Sequence, residues 1–398
     1  MLTTTRRHFV KTTATTLAIG TLTHRARAAV EPRTRVGIIG STGRGDYGHG
    51  VDVAFKALPN VEIVALADAD AAGRAAAQER TNPHRTYADY REMLAQEKLD
   101  LVAICPRWID QHLDMILAAA QAGCHVYMEK PFCPTLHECD QAVAALDARG
   151  LKLAIAHISQ YSPVLAKVQQ LIADDAIGEV LELRGRGKED HRGGGEDLWV
   201  LGSHIFGLMR SLAGSDPTTC YATVRIDTRA VTAADVVQGT EGIGLLAGSD
   251  LQATYTFPSG ATGHFASRRQ MAGTPSRFAL QIFGSQGIIE MESGYGVKAH
   301  ILRDSSWSPG RSKQTWEPIT SAGIGQPEPR DDGTYQGGHL AAITDLLDSV
   351  ANDRPPKCSA HDARAIVEMI VAVFESHRVG GSVNMPLTNR HDPLAGLS

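Results

Sequence analysis

The sequence predicts an α/β Rossmann domain with a doubly wound parallel sheet, followed by an α+β domain with a large open, mostly antiparallel sheet. Three observations carry this reading. The apolar run RVGIIG, residues 35–40, ends in glycine and runs into a glycine-rich stretch and then a helical one. Strand-like and helix-like segments then alternate as far as LKLAIAH, residues 151–157. From Thr218 onward, strand-like runs joined by short turns dominate.

Taken in order, the first element is a leader. Arg6 and Arg7 precede Phe9 and Lys11, a short threonine-rich run follows, and Ala26-x-Ala28 resembles a cleavage site. The expectation is a twin-arginine signal peptide over 1–28, export to the periplasm, and no membrane span once it is removed. The run from Thr12 to Thr23 is too short to cross a bilayer. Without the leader's five cations, the 39 basic residues fall further below the 44 acidic ones. That balance argues against a nucleic-acid partner. The six cysteines show no C-x-x-C pair and no zinc spacing; Cys105 and Cys124 read as buried thiols at element ends.

The next element is the turn STGRGDYGHG after Gly40, with a helix expected from Val51 to Leu58. Gly40, Gly43 and Gly45, with Thr42 and Arg44 between them, are candidate contacts to a dinucleotide pyrophosphate. Thr42 stands where a second glycine is usual. The run VEIVALAD ends at Asp68, a candidate for the carboxylate that takes a ribose 2′-hydroxyl; a helix cap is the other reading. The acid favours NAD, with NADP left open by Arg44 and Arg74. Strands LDLVAIC, HVYM and LKLAIAH alternate with helices DQHLDMILAAAQAG and LHECDQAVAALDARG. Asp68, Pro106, Glu129 and His157 thus fall at the carboxyl ends of strands, where doubly wound sheets bind ligands. In the second half CYATVRID, DLQATYTF, ATGHFASRR, RFALQIFG, GIIEME and VKAHILR read as strands.

The stretch MEKPF, residues 128–132, together with VGIIGSTGRG, CPRWIDQH and the C-terminal GGHLAAITDLLDSV, resembles the signatures of the glucose–fructose oxidoreductase, inositol dehydrogenase and rhizopine-catabolism (Gfo/Idh/MocA) family. The resemblance covers nearly the whole chain beyond the leader. It implies an NAD(P)-binding Rossmann domain over 33–157 and an α+β substrate and oligomerisation domain over 158–390, whose sheet joins copies of the chain. It also implies that Pro106, His112, Glu129 and Lys130 border the cofactor. Lys130 and His204 are then the acid–base pair, with Glu129 orienting its neighbours.

The family's aspartates four residues before and three after the histidine are Val200 and Gly207 here. Asp197, seven residues before His204, together with Asp190 and His191 in the KEDHR stretch, are the further acid–base candidates. Trp108, Trp199 and Tyr161 are candidates to pack on a sugar face. No metal is expected, since no compact ligand spacing surrounds His191 and His204. The functional expectation is an oxidoreductase with tightly bound NAD(P), acting on a sugar, polyol or glycoside hydroxyl. A redox-neutral glycoside-cleaving enzyme and a non-catalytic carbohydrate-binding protein are the alternatives.

Overall fold

The computed structural model describes residues 33–397; the expected leader over 1–28 lies outside them. Six parallel strands form the first sheet: β1 (Thr34–Ile39), β2 (Val61–Ala67), β3 (Arg85–Tyr87), β4 (Leu101–Ile104), β5 (His125–Met128) and β6 (Leu153–Ile155). Their order is β3-β2-β1-β4-β5-β6, the doubly wound order that reverses beside β1. Helices α1 (Val51–Ala54), α2 (Ala71–Thr81), α3 (Tyr90–Gln96), α4 (His112–Gln121) and α5 (Leu136–Asp147) connect them. β1, β2, β4 and β5 are almost wholly buried, as strands covered on both faces must be. Local signals set the helix ends. Asp70 caps α2 by accepting the Gly73 amide, Thr135 caps α5, and Gly123 at φ 78° stops the chain after α4.

Helix α6 (Pro163–Ala173) leads into the second sheet, made of β7 (Val180–Arg186) and most of the later strands. Between β7 and the next strand lie the single turn α7 (Gly195–Asp197), a five-residue π-helical turn (Leu198–Gly202) and α8 (Ser203–Ala213). The strands are β8 (Thr219–Ile226), β9 (Arg229–Ala230), β10 (Val237–Gln238), β11 (Leu245–Leu246), β12 (Asp250–Thr256), β13 (Thr262–Arg268), β14 (Ala279–Gly284), β15 (Gly287–Glu292) and β16 (Ala299–Leu302). After the short α9 (Pro309–Ser312) come β17 (Glu317–Thr320) and β18 (Gly323–Ile324). Two long helices, α10 (Tyr335–Ala351) and α11 (Ala360–Val379), precede β19 (Val383–Asn384). β10 and β11 pair with each other as a separate two-stranded sheet. The large sheet has 11 strands: its main path runs β18-β17-β16-β15-β14-β7-β13-β12-β8-β19, and β9 pairs with β8 off that path. Every pairing in it is antiparallel except β7 with β13. β12 and β13 alternate strictly between buried and more open positions, so one face packs on helices and the other stays open.

The described residues cluster as one compact unit, so the change at 157/158 is a change of sheet and not a break between separate bodies. The C-terminal helices return to the first domain. α11 packs against α5, α10 packs against α1 and β6, and Ser359 bridges to Ala154 of β6. All six cysteines are buried and free. No helix among the described residues is long and apolar enough to cross a membrane.

Candidate active site

The carboxyl ends of β1, β4 and β5 meet α8 and α10 in one cleft. Its floor is set by the turn after β1. Ser41 bridges to Asp46, and Gly43 and Gly45 take φ 81° and 89°, a left-handed backbone suited to glycine. A Cβ at Gly45 would lie 2.3 Å from the Arg107 amide nitrogen, and one at Gly48 would lie 2.5 Å from Glu129 Cγ. Glycine at these two positions therefore lets the turn close onto the loops after β4 and β5. At its tip a Cβ on Gly43 would meet nothing within 4 Å, so the backbone there is sterically open, while its amide donates to Asp46 Oδ1 at 2.9 Å. Gly40 is different: Tyr47 packs where its Cβ would stand.

Glu129 is buried at the end of β5. The His49 amide donates to its Oε1 at 2.8 Å, His49 Nδ1 lies 2.7 Å from the same oxygen, and the Lys130 amide donates to Oε2 at 3.0 Å. Burial raises its pKa, but the hydrogen bond and charge of His49, then Lys130, outweigh this and hold the carboxyl well below the ordinary range. Glu129 is thus a fixed anion that orients its neighbours.

Lys130 reaches across to the π-helical turn before α8, and its Nζ donates to the main-chain oxygen of Val200 at 3.1 Å. Val200 lies in the π-helical turn, whose wider i→i+5 pattern leaves carbonyls out of register with α-helical donors. The missing family carboxylate at this position is therefore answered by the same residue's carbonyl. Burial pushes the Lys130 pKa down, against the pull of Glu129 and Glu241.

His204 follows on α8, with Nδ1 buried and unpartnered. Its ring meets that of His157 edge-on at 5.2 Å. Burial, then the Lys130 charge, pushes His204 well below its ordinary pKa, and the same two causes take His157 down to about 3. Both imidazoles are neutral at pH 7.

Several cleft residues escape a reading of the sequence. His339 on α10 lies 2.7 Å from the Tyr127 hydroxyl through Nδ1, while its buried Nε2 has no partner. Tyr335, on the same helix, stacks on His49 at 5.6 Å and is the aromatic wall of the cleft. Arg107, with a buried and unpartnered Nε, and Glu241 belong to this group, and Arg192 of the KEDHR stretch, already singled out in the sequence, completes the lining.

Other expected residues stand elsewhere. His112 is fully buried, and its two ring nitrogens lie 2.8–3.0 Å from the carbonyls of Pro106, Pro131 and Phe132. It ties the two cofactor-side loops together and has no face toward a ligand. Pro106 is held through that carbonyl. Asp197 is turned away from His204: its oxygens accept from Ser267 Oγ at 2.5 Å and from the amides of Glu189 and Lys188 at 3.1 and 3.2 Å. The wide π-turn between the two residues retards the helical phase, so a seven-residue spacing does not put them on one face.

His191 is exposed, and Asp190 is an anion bonded to Arg192, held at about 2 chiefly by that hydrogen bond. Arg44 stacks on Trp108 at 4.6 Å and pairs with Asp110. Trp199 and Tyr161 are buried packing residues. Asp68 turns back onto Thr42 and does not cap a helix; Asp70 does. Among the described residues, no group of three or more His, Cys, Asp or Glu is placed to hold a metal ion.

Comparison with known proteins agrees with this layout. Residues 34–157 match the oxidoreductase family with an NAD-binding Rossmann fold, and residues 165–290 match the GFO/IDH/MocA C-terminal domain. A D-apiose dehydrogenase of Paraburkholderia graminis is 27% identical over 353 residues, 83% of this chain and 85% of that protein. A glycosyl hydrolase family 109 protein of Shewanella sp. is 27% identical over 225 residues, 48% of this chain and 49% of that protein. Among solved structures, a levoglucosan dehydrogenase complexed with NADH and levoglucosan superposes with a TM-score of 0.72 at 19% identity, covering 89% of this chain and 100% of that one. At that identity the likeness is one of fold.

Proposed function

We propose, from the premise that the chain belongs to the GFO/IDH/MocA oxidoreductase family, that it is an NAD(P)-dependent oxidoreductase acting on a CH–OH group of a sugar or polyol. One observation carries the reading: Lys130 Nζ and neutral His204 face one cleft at the carboxyl ends of the parallel strands, beside a glycine turn with an open backbone tip. Gly43 and Gly45, with the loops of Pro106 and Glu129, are the residues that would hold the dinucleotide; the backbone at Gly43 is sterically open, and its amide would pass from Asp46 Oδ1 to the pyrophosphate. When bound, a nicotinamide supplies the hydride acceptor or donor. The chain's own part is proton handling and positioning. Lys130, with its pKa lowered, or His204 takes the hydroxyl proton as the carbonyl forms. Arg107 Nε and His339 Nε2 offer unpartnered polar atoms to the sugar hydroxyls, and Tyr335 offers an aromatic face. A panel of aldoses, ketoses and polyols followed at 340 nm tests this; absence of any absorbance change with NAD or NADP across the panel argues against it.

A second reading is redox-neutral glycoside cleavage. It is favoured by the Glu241 carboxylate, which lines the cleft with no hydrogen bond among the described residues and is an acid–base group beyond the pair that oxidation needs. The similarity to a glycosyl hydrolase family 109 protein is consistent with it. Aglycone release from aryl glycosides with no net nucleotide reduction, lost in Glu241→Gln, would select this reading.

Export by the twin-arginine route completes the proposal, supported by Arg6-Arg7 ahead of Phe9. A periplasmic enzyme needs its nucleotide carried out with it, so the cofactor is held tightly and recycled in place. Replacing both arginines by lysine should trap the precursor in the cytoplasm; undiminished periplasmic protein would refute export. Self-association through the open face of the 11-stranded sheet is the accompanying expectation.

A further inference from the structure

The carboxylate at the end of β2 is already engaged. Asp68 is 2% exposed. Its Oδ2 accepts the Thr42 hydroxyl at 2.7 Å and the Thr42 amide at 3.1 Å. Oδ1 accepts the Asp70 amide at 3.0 Å and has a longer contact, 3.3 Å, with the Thr42 amide. A carboxylate oxygen offers about two acceptor sites, so Oδ2 is filled and Oδ1 has little left. The neighbouring helix is cut away for this contact: a Cβ on Gly73 would lie 1.8 Å from Thr42 Oγ1. Gly73 sits in the first turn of α2, where glycine weakens a helix relative to alanine. Seating the Thr42 hydroxyl is a reason for it to be there. Thr42, Asp68 and Gly73 form one clasp.

An acid at this point of a Rossmann sheet ordinarily bonds the adenosine ribose hydroxyls and repels a 2′-phosphate. Here a ribose must first displace Thr42, exchanging bonds already made for new ones. The cation at the same corner is Arg74, whose Nη1 donates to the Asp68 main-chain oxygen at 2.5 Å. No other hydrogen bond or ion pair of its guanidinium is found among the described residues, and a guanidinium fits phosphate oxygens well. Arg44, the other cation near the turn, is drawn off to Trp108 and Asp110.

We propose that Thr42 is a cofactor-specificity residue: by clasping Asp68 it removes the carboxylate from ribose recognition and leaves Arg74 to meet the 2′-position, so the protein binds NADP(H) at least as tightly as NAD(H). The proposal rests on the dehydrogenase reading above.

Calorimetric titration of the full-length purified protein, stripped of nucleotide, with NADP⁺ and NAD⁺ tests it without any substrate. The expected dissociation constant for NADP⁺ is equal to or below that for NAD⁺. Thr42→Gly should free the carboxylate and move the affinity ratio toward NAD⁺ by about tenfold or more, the scale of a hydrogen bond to a charged group. Thr42→Val removes only the hydroxyl and should move the ratio the same way, which covers the case of a glycine variant that does not fold. Arg74→Ala should weaken NADP⁺ by about tenfold and NAD⁺ far less. NAD⁺ bound about tenfold tighter than NADP⁺ by the parent chain, or a ratio unmoved by these substitutions, would overturn the specificity proposal and leave the dehydrogenase reading intact. Binding of neither nucleotide by any of the proteins would overturn both.

Discussion

Lys130 holds its ammonium on the Val200 carbonyl and not on a carboxylate. A carbonyl fixes the position of Nζ while adding no full negative charge that would hold the proton. Lys130→Met and His204→Asn are each expected to keep the fold and nucleotide binding and to lower turnover by ~10²–10⁴-fold. Steady-state rates with circular dichroism as the fold control check this, and losses under about tenfold in both would move the proton chemistry elsewhere. The buried histidines also set an acid limit. His157 has a folded pKa of about 3 against roughly 6.5 unfolded. Between those values the unfolded chain binds the extra proton, so this stability is complete above about pH 6.5 and is lost as pH falls toward 3. Lowering pH from 7.5 to 5 should cost about 2 kcal/mol through His157. Urea midpoints at pH 7.5 and 5 measure it, and His157→Asn should shrink the gap.

Glu129 and Lys130 stand out in the sequence within MEKPF, and His204 through the family resemblance of the stretch around it. His339 and Tyr335 do not, since α10 reaches the cleft only through tertiary packing. Asp197 was misdirected by a helix phase that the π-turn alters.

At the scale of elements, the turn after β1 and the loop after β4 form one interlocked surface. Gly45→Ala places a methyl against the Arg107 amide nitrogen at a backbone angle alanine rarely adopts. The loss expected is upward of about 1 kcal/mol, with nucleotide affinity falling more than thermal stability; calorimetry and a melting curve separate the two. An unchanged affinity would mean that the turn does not meet the nucleotide. The edge strand β3, Arg85-Thr86-Tyr87, carries no apolar run and escapes the reading; the other five parallel strands are readable because each is an apolar run closed by a turn or a cap. The second sheet is less so. Its strands can be read from alternation, but their order cannot, because β7 enters from before α8 to sit between β14 and β13, pairing parallel with β13. Alternation states which face is buried and says nothing about neighbours.

Across the whole molecule, the C-terminal segment fastens the two sheets together. Arg390 pairs with Asp140 of α5 at 2.7 Å and with Glu368 of α11 at 2.9 Å, and its carbonyl accepts the His137 amide at 2.9 Å. Glu368 is nearly buried, so removing its partner leaves a desolvated charge. Arg390→Ala is expected to destabilise the fold by about 2–3 kcal/mol, read as a lower denaturant midpoint with an unchanged slope. A shift within about 0.5 kcal/mol would mean that the network is ornamental. This fastening also predicts a single calorimetric transition for both sheets, where two separable domains would give two.

The six buried cysteines have a consequence for how the protein's opening can be timed. Four lie in the first domain, at 105, 124, 133 and 139, and two in the second, at 220 and 358. Burial pushes Cys124 up to about 11 and Cys220 up to about 12, so neither carries thiolate near neutrality. A membrane-impermeant alkylating reagent should find no reactive sulfur on the closed molecule. Each label that mass spectrometry then locates dates the first moment its region came apart. Simultaneous labelling at Cys124 and Cys220 would mark the two sheets as opening together, and a lag between them would reveal which half lets go first.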